Sequence, residues 1–171
     1  MPPLDMLKII FKDRFFYQLY FQTPGIAETE LEADVRTALR KFYHMASGQM
    51  DIGLMPDKPA DANLLSDLPD PEQLGHWMSD ADLDFYVNEF RRSGFRGPLN
   101  YYRNHNLTWE LTEGAPTQIQ QPALFVAGDR DGVIAMAAQA LEAMPNYVTD
   151  LRVNALIPGI GHWTQQEAAE A

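Results

Sequence analysis

Two segments toward the C-terminal end of the sequence contain the residue types that general-base chemistry uses. His162 ends the glycine-rich segment Gly159-Ile160-Gly161-His162, and two acidic residues stand in the segment Asp129-Arg130-Asp131. A carboxylate that bonds an imidazole holds the ring in one tautomer and stabilises it once it is protonated. Asp131 and Asp129 compete for this role, and both could instead make local turns with backbone amides. The spacing therefore predicts an acid–histidine pair and leaves its acid open.

The neighbouring sequence predicts the elements that must position these residues. Residues 123–127 are a short, continuously apolar run, which is typical of a strand buried on both faces of a parallel sheet. Apolar residues at helical spacing follow from Val133 to Met144, and Pro145 is expected to end this helix. A second strand beginning at about Thr149 is predicted from the alternation of Leu151, Val153, Ala155 and Ile157. Strands connected in this way are parallel neighbours, so both loops open at the carboxyl edge of one sheet, where α/β folds bind ligands.

The residues before a boundary near 115–120 predict helices and loops instead of a sheet. Three helices are expected, the first after a Thr29–Glu32 capping box as far as Gly48, the second between Ser79 and Gly94, and the third from Pro98. The stretch at residues 49–78 is rich in Asp, Pro and Gly and is predicted to be a long loop with at most one short helical turn.

A catalytic set would also need a nucleophile and a group that stabilises a departing oxygen. No G-x-S-x-G sequence occurs, and the serines fall in predicted helix ends or loops, so no nucleophile is predicted in this chain. Tyr17 and Tyr102 could each donate a phenol hydrogen bond to an oxygen that gains negative charge. Aromatic residues in helical segments are more often core residues, and the pattern alone does not separate these two interpretations.

The composition narrows the classes of function. The 171 residues include 13 basic and 24 acidic side chains, a net charge of −11, and so acidic a surface repels nucleic acids and anionic lipid headgroups. The absence of cysteine excludes disulfides, thiolate nucleophiles and sulfur-ligated metals, and it is compatible with a cytoplasmic location. His44, His76 and His105 lack metal-ligand spacing, so no metal site is expected. No apolar run approaches the ~20 residues that cross a bilayer.

Four strings in the chain resemble the soluble-type epoxide hydrolases of the α/β-hydrolase fold family, and they occur in the family's order. They are YQLYFQTPG at residues 17–25, GFRGPLNYYRN at 94–104, QPALFVAGDRD at 121–131 and PGIGHWTQ at 158–165. The resemblance covers nearly the whole chain and implies an α/β fold in two parts. Residues 1–114 would form the helical cap, or lid, and residues 115–171 would form the last strand–helix–strand of the core.

The resemblance also implies roles for individual residues. Tyr17 and Tyr102 match the cap tyrosines that grip the epoxide oxygen. Asp131 matches the acid that orients the catalytic histidine, and His162 matches that histidine, which activates the hydrolytic water. Positions that line the family's site are matched by Gln18 and Trp163. The implied substrates are a small apolar epoxide and water, with no cofactor and no metal.

The chain departs from the family's pattern at both ends. The nucleophile half of the family, with its H-G-x-P loop and its aspartate, has no counterpart, and the helix expected after the histidine loop is also absent. A pair of parallel strands leaves edges unpaired and faces uncovered. We therefore expect the chain alone to be inactive, and to be poorly stable, to self-associate or to need a missing N-terminal half.

Two alternatives to an epoxide hydrolase remain. Dehalogenases and esterases of the same fold share the acid–histidine loops, although a dehalogenase usually grips its halide with Trp or Asn side chains rather than with two tyrosines. The second alternative is a helical binding module that lacks the nucleophile half and does no catalysis.

Overall fold

The computed structural model describes residues 1–50 and 57–170, which form two compact units. The first unit contains residues 1–42, 57–72 and 80–114, and the second contains residues 43–50, 73–79 and 115–170. The boundary predicted near residues 115–120 coincides with the division after Gly114. Residues 43–50 and 73–79, which precede this boundary, also belong to the second unit. The change in residue pattern along the sequence could not predict this.

The first unit is helical. Its helices are α1 (Pro3–Ile10), α2 (Tyr17–Tyr20), α3 (Ile26–Ala33), α4 (Val35–Met45), which continues into the second unit, α5 (Asp80–Ser93), α6 (Arg96–Arg103) and α7 (His105–Leu111). Its buried apolar side chains are Leu4, Phe21, Ala27, Leu31, Val35, Ala38, Leu39, Leu64, Leu65, Leu68, Leu83, Val87, Phe95 and Leu99. In the described part of the chain, no helix has the length and apolar character needed to cross a bilayer.

The first predicted helix is two helices, and the prediction of its start was wrong. Gly25 adopts a φ of +90°, which glycine tolerates and side-chain-bearing residues resist, and the Glu28 carboxylate accepts a hydrogen bond from the Gly25 N–H at 2.8 Å. The chain therefore enters α3 one turn earlier than the Thr29–Glu32 pair predicted. The Thr29 hydroxyl instead donates to the Gly25 carbonyl at 2.6 Å, and the Glu32 carboxylate accepts from the Phe95 N–H at 3.0 Å.

Asp34 separates α3 from α4. Its backbone is extended, with φ −146° and ψ 92°, and its carboxylate accepts hydrogen bonds from the backbone N–H and the hydroxyl of Thr37 at 3.2 and 2.8 Å. This is the geometry of an N-cap, which satisfies a backbone donor that the start of a helix leaves unpaired. The apolar residues keep their helical spacing across Asp34. Only the hydrogen bonds of the Asp34 side chain therefore indicate that one helix ends and another begins there.

The other two predicted helices of this half follow the prediction closely. Helix α5 ends at Ser93, and Gly94 follows it with a φ of +68° and an N–H that donates to the Phe90 carbonyl at 2.8 Å. Helix α6 begins at Arg96, two residues before the predicted Pro98. Proline is tolerated there because the N–H groups of the first turn have no partner within the helix.

The predicted loop at residues 49–78 is held by charged side chains where the structure describes it; residues 51–56 of this prediction lie outside the described residues. Lys58 is buried, and its ammonium donates to the carbonyls of Asn63 and Leu64, each at 3.0 Å. The Glu30 carboxylate accepts from the N–H groups of Leu64 and Leu65 at 3.0 and 2.8 Å. The loop backbone therefore finds its hydrogen-bond partners in charged side chains rather than in secondary structure.

The second unit contains the predicted strand–helix–strand. Strand β1 (Ala123–Gly128) pairs in parallel with β2 (Leu151–Ile157), and α8 (Gly132–Met136) and α9 (Ala138–Ala143) connect them. The connection was predicted as one helix ending at Pro145, but it breaks at Ala137 and closes with a 3₁₀ turn at Met144–Asn146. A short helix, α10 (Thr164–Glu167), follows the histidine loop after β2, so the expectation that no helix follows this loop was wrong for these four residues.

The prediction that β1 is buried on both faces was wrong for this chain. Leu124 and Val126, which share one face of the strand, are 69 % and 47 % exposed, whereas Ala127 and Gly128 are buried. Parallel strands need a covering layer on each face, and the two strands described here lack one over Leu124 and Val126.

Candidate active site

The loops after β1 and β2 bring Asp131 and His162 into direct contact in the second unit. Asp131 precedes α8 as its N-cap, and its Oδ1 accepts from the Val133 N–H at 2.8 Å. Its Oδ2 lies 2.9 Å from Nδ1 of His162. The carboxylate is buried whereas 46 % of the histidine side chain is exposed. Because a carboxylate only accepts, the bond assigns the proton to Nδ1 and leaves a lone pair on Nε2, the arrangement of a general base.

Geometry decides between the two aspartates that the sequence left open. Asp129 does not bond His162; its Oδ1 accepts from the N–H of Gly159 at 2.7 Å, and its own N–H donates to the Ile157 carbonyl at 3.1 Å. Asp129 thus fastens the end of β1 to the loop that follows β2. Asp131 is the partner of the histidine.

The histidine loop packs against the backbone of residues 46–48 within the same unit. The His162 N–H donates to the Ala46 carbonyl at 2.8 Å. A Cβ placed on Gly161 would collide with the backbone of Ser47 and Gly48. Only glycine allows this approach, so the Gly-Ile-Gly-His spacing is a packing requirement as well as a turn signal.

Trp163 lies beside the histidine. Its ring is 5.1 Å from the His162 ring, centroid to centroid, at 82°, and 4.8 Å from the ring of Tyr43. The indole N–H donates to the Tyr43 carbonyl at 2.8 Å. The indole is therefore held by a backbone bond and presents an aromatic surface next to the imidazole.

The first unit brings the two predicted tyrosines together. Tyr17 is the first residue of α2 and Tyr102 is near the end of α6, and their rings meet edge to face with centroids 5.6 Å apart. Burial raises the pKa of Tyr102, and the electrostatic influence of Tyr17 raises it further. Gln18 donates through Nε2 to the Tyr17 hydroxyl oxygen at 2.9 Å, so the Tyr17 proton is left to donate to another acceptor.

Arg103 connects the segments that contain the two tyrosines, and sequence reasoning missed it. Its Nε donates to the Phe21 carbonyl at 2.8 Å, and its two terminal nitrogens bind both carboxylate oxygens of Glu28 at 2.8 and 2.9 Å. Arg103 belongs to the same sequence string as Tyr102, but no local signal pairs it with a residue so far away in the chain.

A glutamine makes a second connection between the same segments. Nε2 of Gln22 donates to the carbonyl of Gln18 at 2.6 Å and to the carbonyl of Tyr102 at 3.1 Å. Together, Arg103 and Gln22 hold α2 against the end of α6 through polar bonds to the backbone.

An open cavity of about 520 Å³ adjoins Tyr102 in the first unit, within the size range of small-molecule pockets. It is lined by Gly97, Pro98, Tyr101, Tyr102 and His105. Most of this lining is apolar, as suits a neutral ligand. Among residues 1–50 and 57–170, no group of three or more His, Cys, Asp or Glu side chains could hold a metal ion.

The ion pair of Glu28 and Arg103 predicts a defined pH dependence of stability. The hydrogen bonds from Arg103 lower the pKa of Glu28 from 4.5 to about 2. Because the folded pKa is lowered, the pair stabilises the fold fully above pH 4.5, and this contribution disappears as the pH falls toward 2. We expect Glu28→Gln to lower the free energy of unfolding at pH 7 by about 2 kcal/mol, as for other charged hydrogen bonds. The difference from the unaltered protein should shrink across this acid range.

Urea unfolding at a series of pH values measures this difference. Glu89→Gln is the matched control, because Glu89 makes a solvent-exposed pair with Arg92 at 2.6 Å, and its loss should change the free energy of unfolding little. Equal effects of the two substitutions, or a Glu28→Gln effect that does not change with pH, would contradict the prediction.

Comparison with known proteins finds that the chain is similar to parts of several epoxide hydrolases. No protein-family model matches the chain. It is 37 % identical to epoxide hydrolase A of Mycobacterium tuberculosis over 97 % of its own length and 52 % of the relative, and 32 % identical to bifunctional epoxide hydrolase 2 of Rattus norvegicus over 96 % of its own length and 29 % of the relative. The structure of an epoxide hydrolase from an endophytic Streptomyces superposes with a TM-score of 0.92 at 39 % identity, over 99 % of this chain and 53 % of that one. The chain thus spans about half the length, or less, of the relatives it matches.

Proposed function

Because the chain is homologous over nearly its whole length to epoxide hydrolases of the α/β-hydrolase fold, we propose that it contributes the lid and the acid–histidine pair of such an enzyme. The reaction adds water to an epoxide and gives a vicinal diol through an alkyl-enzyme ester. Residues 1–114 are the lid in this proposal, and residues 115–171 belong to the catalytic core. The proposal includes a cytoplasmic location, which cell fractionation would test.

The tyrosine pair is the observation that carries the substrate assignment. When an epoxide carbon is attacked by a carboxylate nucleophile on the remainder of the fold, its C–O bond breaks and the oxygen gains negative charge. In this proposal both phenols, whose rings meet edge to face with centroids 5.6 Å apart, donate to that one oxygen. The raised pKa of Tyr102 keeps this phenol protonated as a donor. Gln18 supports Tyr17 by occupying a lone pair of its hydroxyl.

The acid–histidine pair supplies the second step. Nε2 of His162 takes a proton from a water molecule, and the water oxygen attacks the carbonyl carbon of the ester. Asp131 stabilises the imidazolium that results, through the 2.9 Å bond to Nδ1. Collapse of the tetrahedral intermediate breaks the ester C–O bond, and the departing oxygen takes the proton from Nε2, which releases the diol and restores the neutral histidine. The carboxyl group of the nucleophile gives to solvent a proton equivalent to the one that the epoxide oxygen took up on opening, which restores the carboxylate. Trp163 lines the site beside the imidazole and helps to exclude other water, and no step uses a metal or a cofactor.

A dehalogenase or an esterase would use the same Asp131–His162 pair, so this pair does not select the substrate. A halide ion or an alcohol leaving group does not require two phenol donors at one oxygen. The tyrosine pair therefore favours an epoxide over these substrates.

A chimera tests the proposed function. The N-terminal part of the mycobacterial relative is joined to residues 1–171, and diol formation from an aromatic epoxide is measured, with an aryl ester and a haloalkane as rival substrates. We expect epoxide hydrolysis, and none from the matched His162→Gln chimera. A folded chimera that hydrolyses only the ester or the haloalkane would establish the corresponding alternative, and a folded chimera with no activity would favour the binding module.

The exposed apolar face of β1 supports a further part of the proposal. Leu124 and Val126 would be covered by the rest of an α/β-hydrolase fold, and the chain alone would be poorly stable or self-associate through this face. Gel filtration with light scattering should find oligomers for the chain alone and a monomer-sized chimera. A monomeric chain that unfolds in one sharp transition would contradict this expectation.

A further inference from the structure

One carboxylate outside the proposed catalytic set holds the backbone on both sides of His162. Glu167 ends α10, and its Oε2 accepts from the N–H of Gly161 at 3.2 Å while its Oε1 accepts from the N–H of Trp163 at 3.2 Å. The same Oε2 also accepts from the N–H of Gly48 at 2.8 Å. The residue before the histidine and the residue after it are thus bonded to the same side chain.

We propose that Glu167 is a positioning residue that sets the direction of the His162 imidazole. By fixing the peptides before and after His162, it makes Nδ1 meet Asp131 and leaves Nε2 directed away from that bond. The catalytic meaning of this placement rests on the proposed function, whereas the placement itself can be tested without any catalysis.

The geometry of α10 lets this side chain reach back to the loop. The Glu167 N–H donates to the Trp163 carbonyl at 2.8 Å, so one helical turn holds the glutamate over the residue that follows the histidine. A carboxylate in the first turn of a helix is favoured there because the backbone N–H groups of that turn point toward it. Bonds from N–H groups to an ionised acceptor are the stronger class of protein hydrogen bonds.

Gly48 extends the effect of Glu167 to the loop that contains Asp131. Its N–H donates to Glu167, and its carbonyl accepts from the Arg130 guanidinium at 2.8 Å. The Arg130 N–H in turn donates to the Ile160 carbonyl in the histidine loop at 2.9 Å. The backbone at Gly48 is therefore a shared support for both partners of the acid–histidine bond.

A glutamine at position 167 would break this arrangement while it keeps the shape of the side chain. Both oxygens of the glutamate accept hydrogen bonds, but a glutamine has one oxygen and one NH₂ group. The NH₂ group must face either the N–H of Trp163 or the two N–H groups of Gly48 and Gly161, and two donors cannot bond each other. At least one bond beside His162 is lost in either orientation.

Amide hydrogen exchange and proton NMR on residues 1–171, measured within the chimera if the chain alone does not stay folded and monomeric, test the proposal. In Glu167→Gln we expect the amide that loses its acceptor, that of Gly161 or that of Trp163, to exchange at least about tenfold faster, the factor that corresponds to about 1.4 kcal/mol. We also expect loss of the downfield Nδ1–H resonance of His162. The matched control is Glu170→Gln, an exposed carboxylate three positions further on, which should change neither readout.

A Glu167→Gln chain that keeps both the slow exchange and the His162 resonance would overturn the proposal. Should this variant fail to fold, the unaltered chain decides instead, with the His162 amide as an internal reference because it bonds the Ala46 carbonyl. Protection of the Gly161 and Trp163 amides alongside it supports the proposal. Free exchange of those two amides beside a protected His162 amide overturns it.

The chimera adds a readout that distinguishes the proposal from the proposed function. There we expect Glu167→Gln to slow the breakdown of the ester intermediate by at least about tenfold, the same factor as in exchange, with kcat/KM changed little because ester formation does not use the histidine. An unchanged rate of ester breakdown would overturn the positioning role. A chimera without epoxide activity would refute the proposed function and leave the exchange result to decide the placement of His162.

Discussion

Replacing both Tyr17 and Tyr102 by Phe in the active chimera is expected to lower the rate of epoxide opening by about 10⁴-fold or more. Removal of one donor from a site of developing oxygen charge costs roughly 10²–10³-fold, and the double variant removes two. The single Phe variants should therefore fall in the lower range. Phe keeps the ring, so the edge-to-face packing of the pair survives while the hydroxyls are lost. Single-turnover measurement of ester formation isolates this step.

The control for this prediction is Tyr147→Phe. Tyr147 is 53 % exposed and lies outside residues 1–114, so the loss of its hydroxyl should change ester formation little. Near-normal ester formation in the double variant would contradict the proposed role. That result would favour the other interpretation of the sequence, in which Tyr17 and Tyr102 are aromatic core residues.

The second large effect is expected from Asp131→Asn, which should slow the breakdown of the ester by up to about 10⁴-fold. The amide NH₂ of Asn can donate to Nδ1 of His162, which moves the ring proton to Nε2 and removes the general base. Ester formation does not use the histidine and should stay near normal. The ester should therefore accumulate, which mass spectrometry of the quenched enzyme would detect.

Asp129→Asn is the matched control for this substitution. Its side-chain oxygen can still accept from the Gly159 N–H, the bond that Asp129 makes at 2.7 Å, so ester breakdown should change little. Equal losses in the two variants would show that the acid–histidine bond is not what activates the water. A normal rate in Asp131→Asn would refute the role of Asp131 outright.

Much of the local structure was predictable because it depends on short-range pattern. The apolar run of β1, the alternation in β2 and the helix that ends before Gly94 are properties of adjacent residues, and the structure confirms them. The start of α3 was mispredicted because Thr29 and Glu32 have capping spacing, whereas the backbone turns at Gly25. The break between α3 and α4 at Asp34 was missed because the apolar residues keep their helical spacing across the residue that caps α4.

The supporting residues of the site were harder to predict than the chemical ones. The tyrosines, Asp131 and His162 could be identified from the sequence because their side chains are chemically reactive and because they occur in the family's characteristic strings. Arg103 and Glu167 act through backbone atoms of other segments, and backbone atoms have no sequence signature. Glu28 pairs with Arg103 only because two helices of the first unit pack together.

The sequence alone determined that the two aspartates and the histidine would lie at the carboxyl edge of one parallel pair of strands, because strand order and connection follow from pattern and handedness. Only the tertiary structure decided that Asp131 bonds His162 and that Asp129 bonds Gly159. Asp129 and Asp131 are two residues apart in the loop after β1, so the sequence pattern places both at the same edge of the sheet. The choice depends on where each carboxylate points relative to a loop on the other strand, and that direction is set by strand register and by the capping of α8.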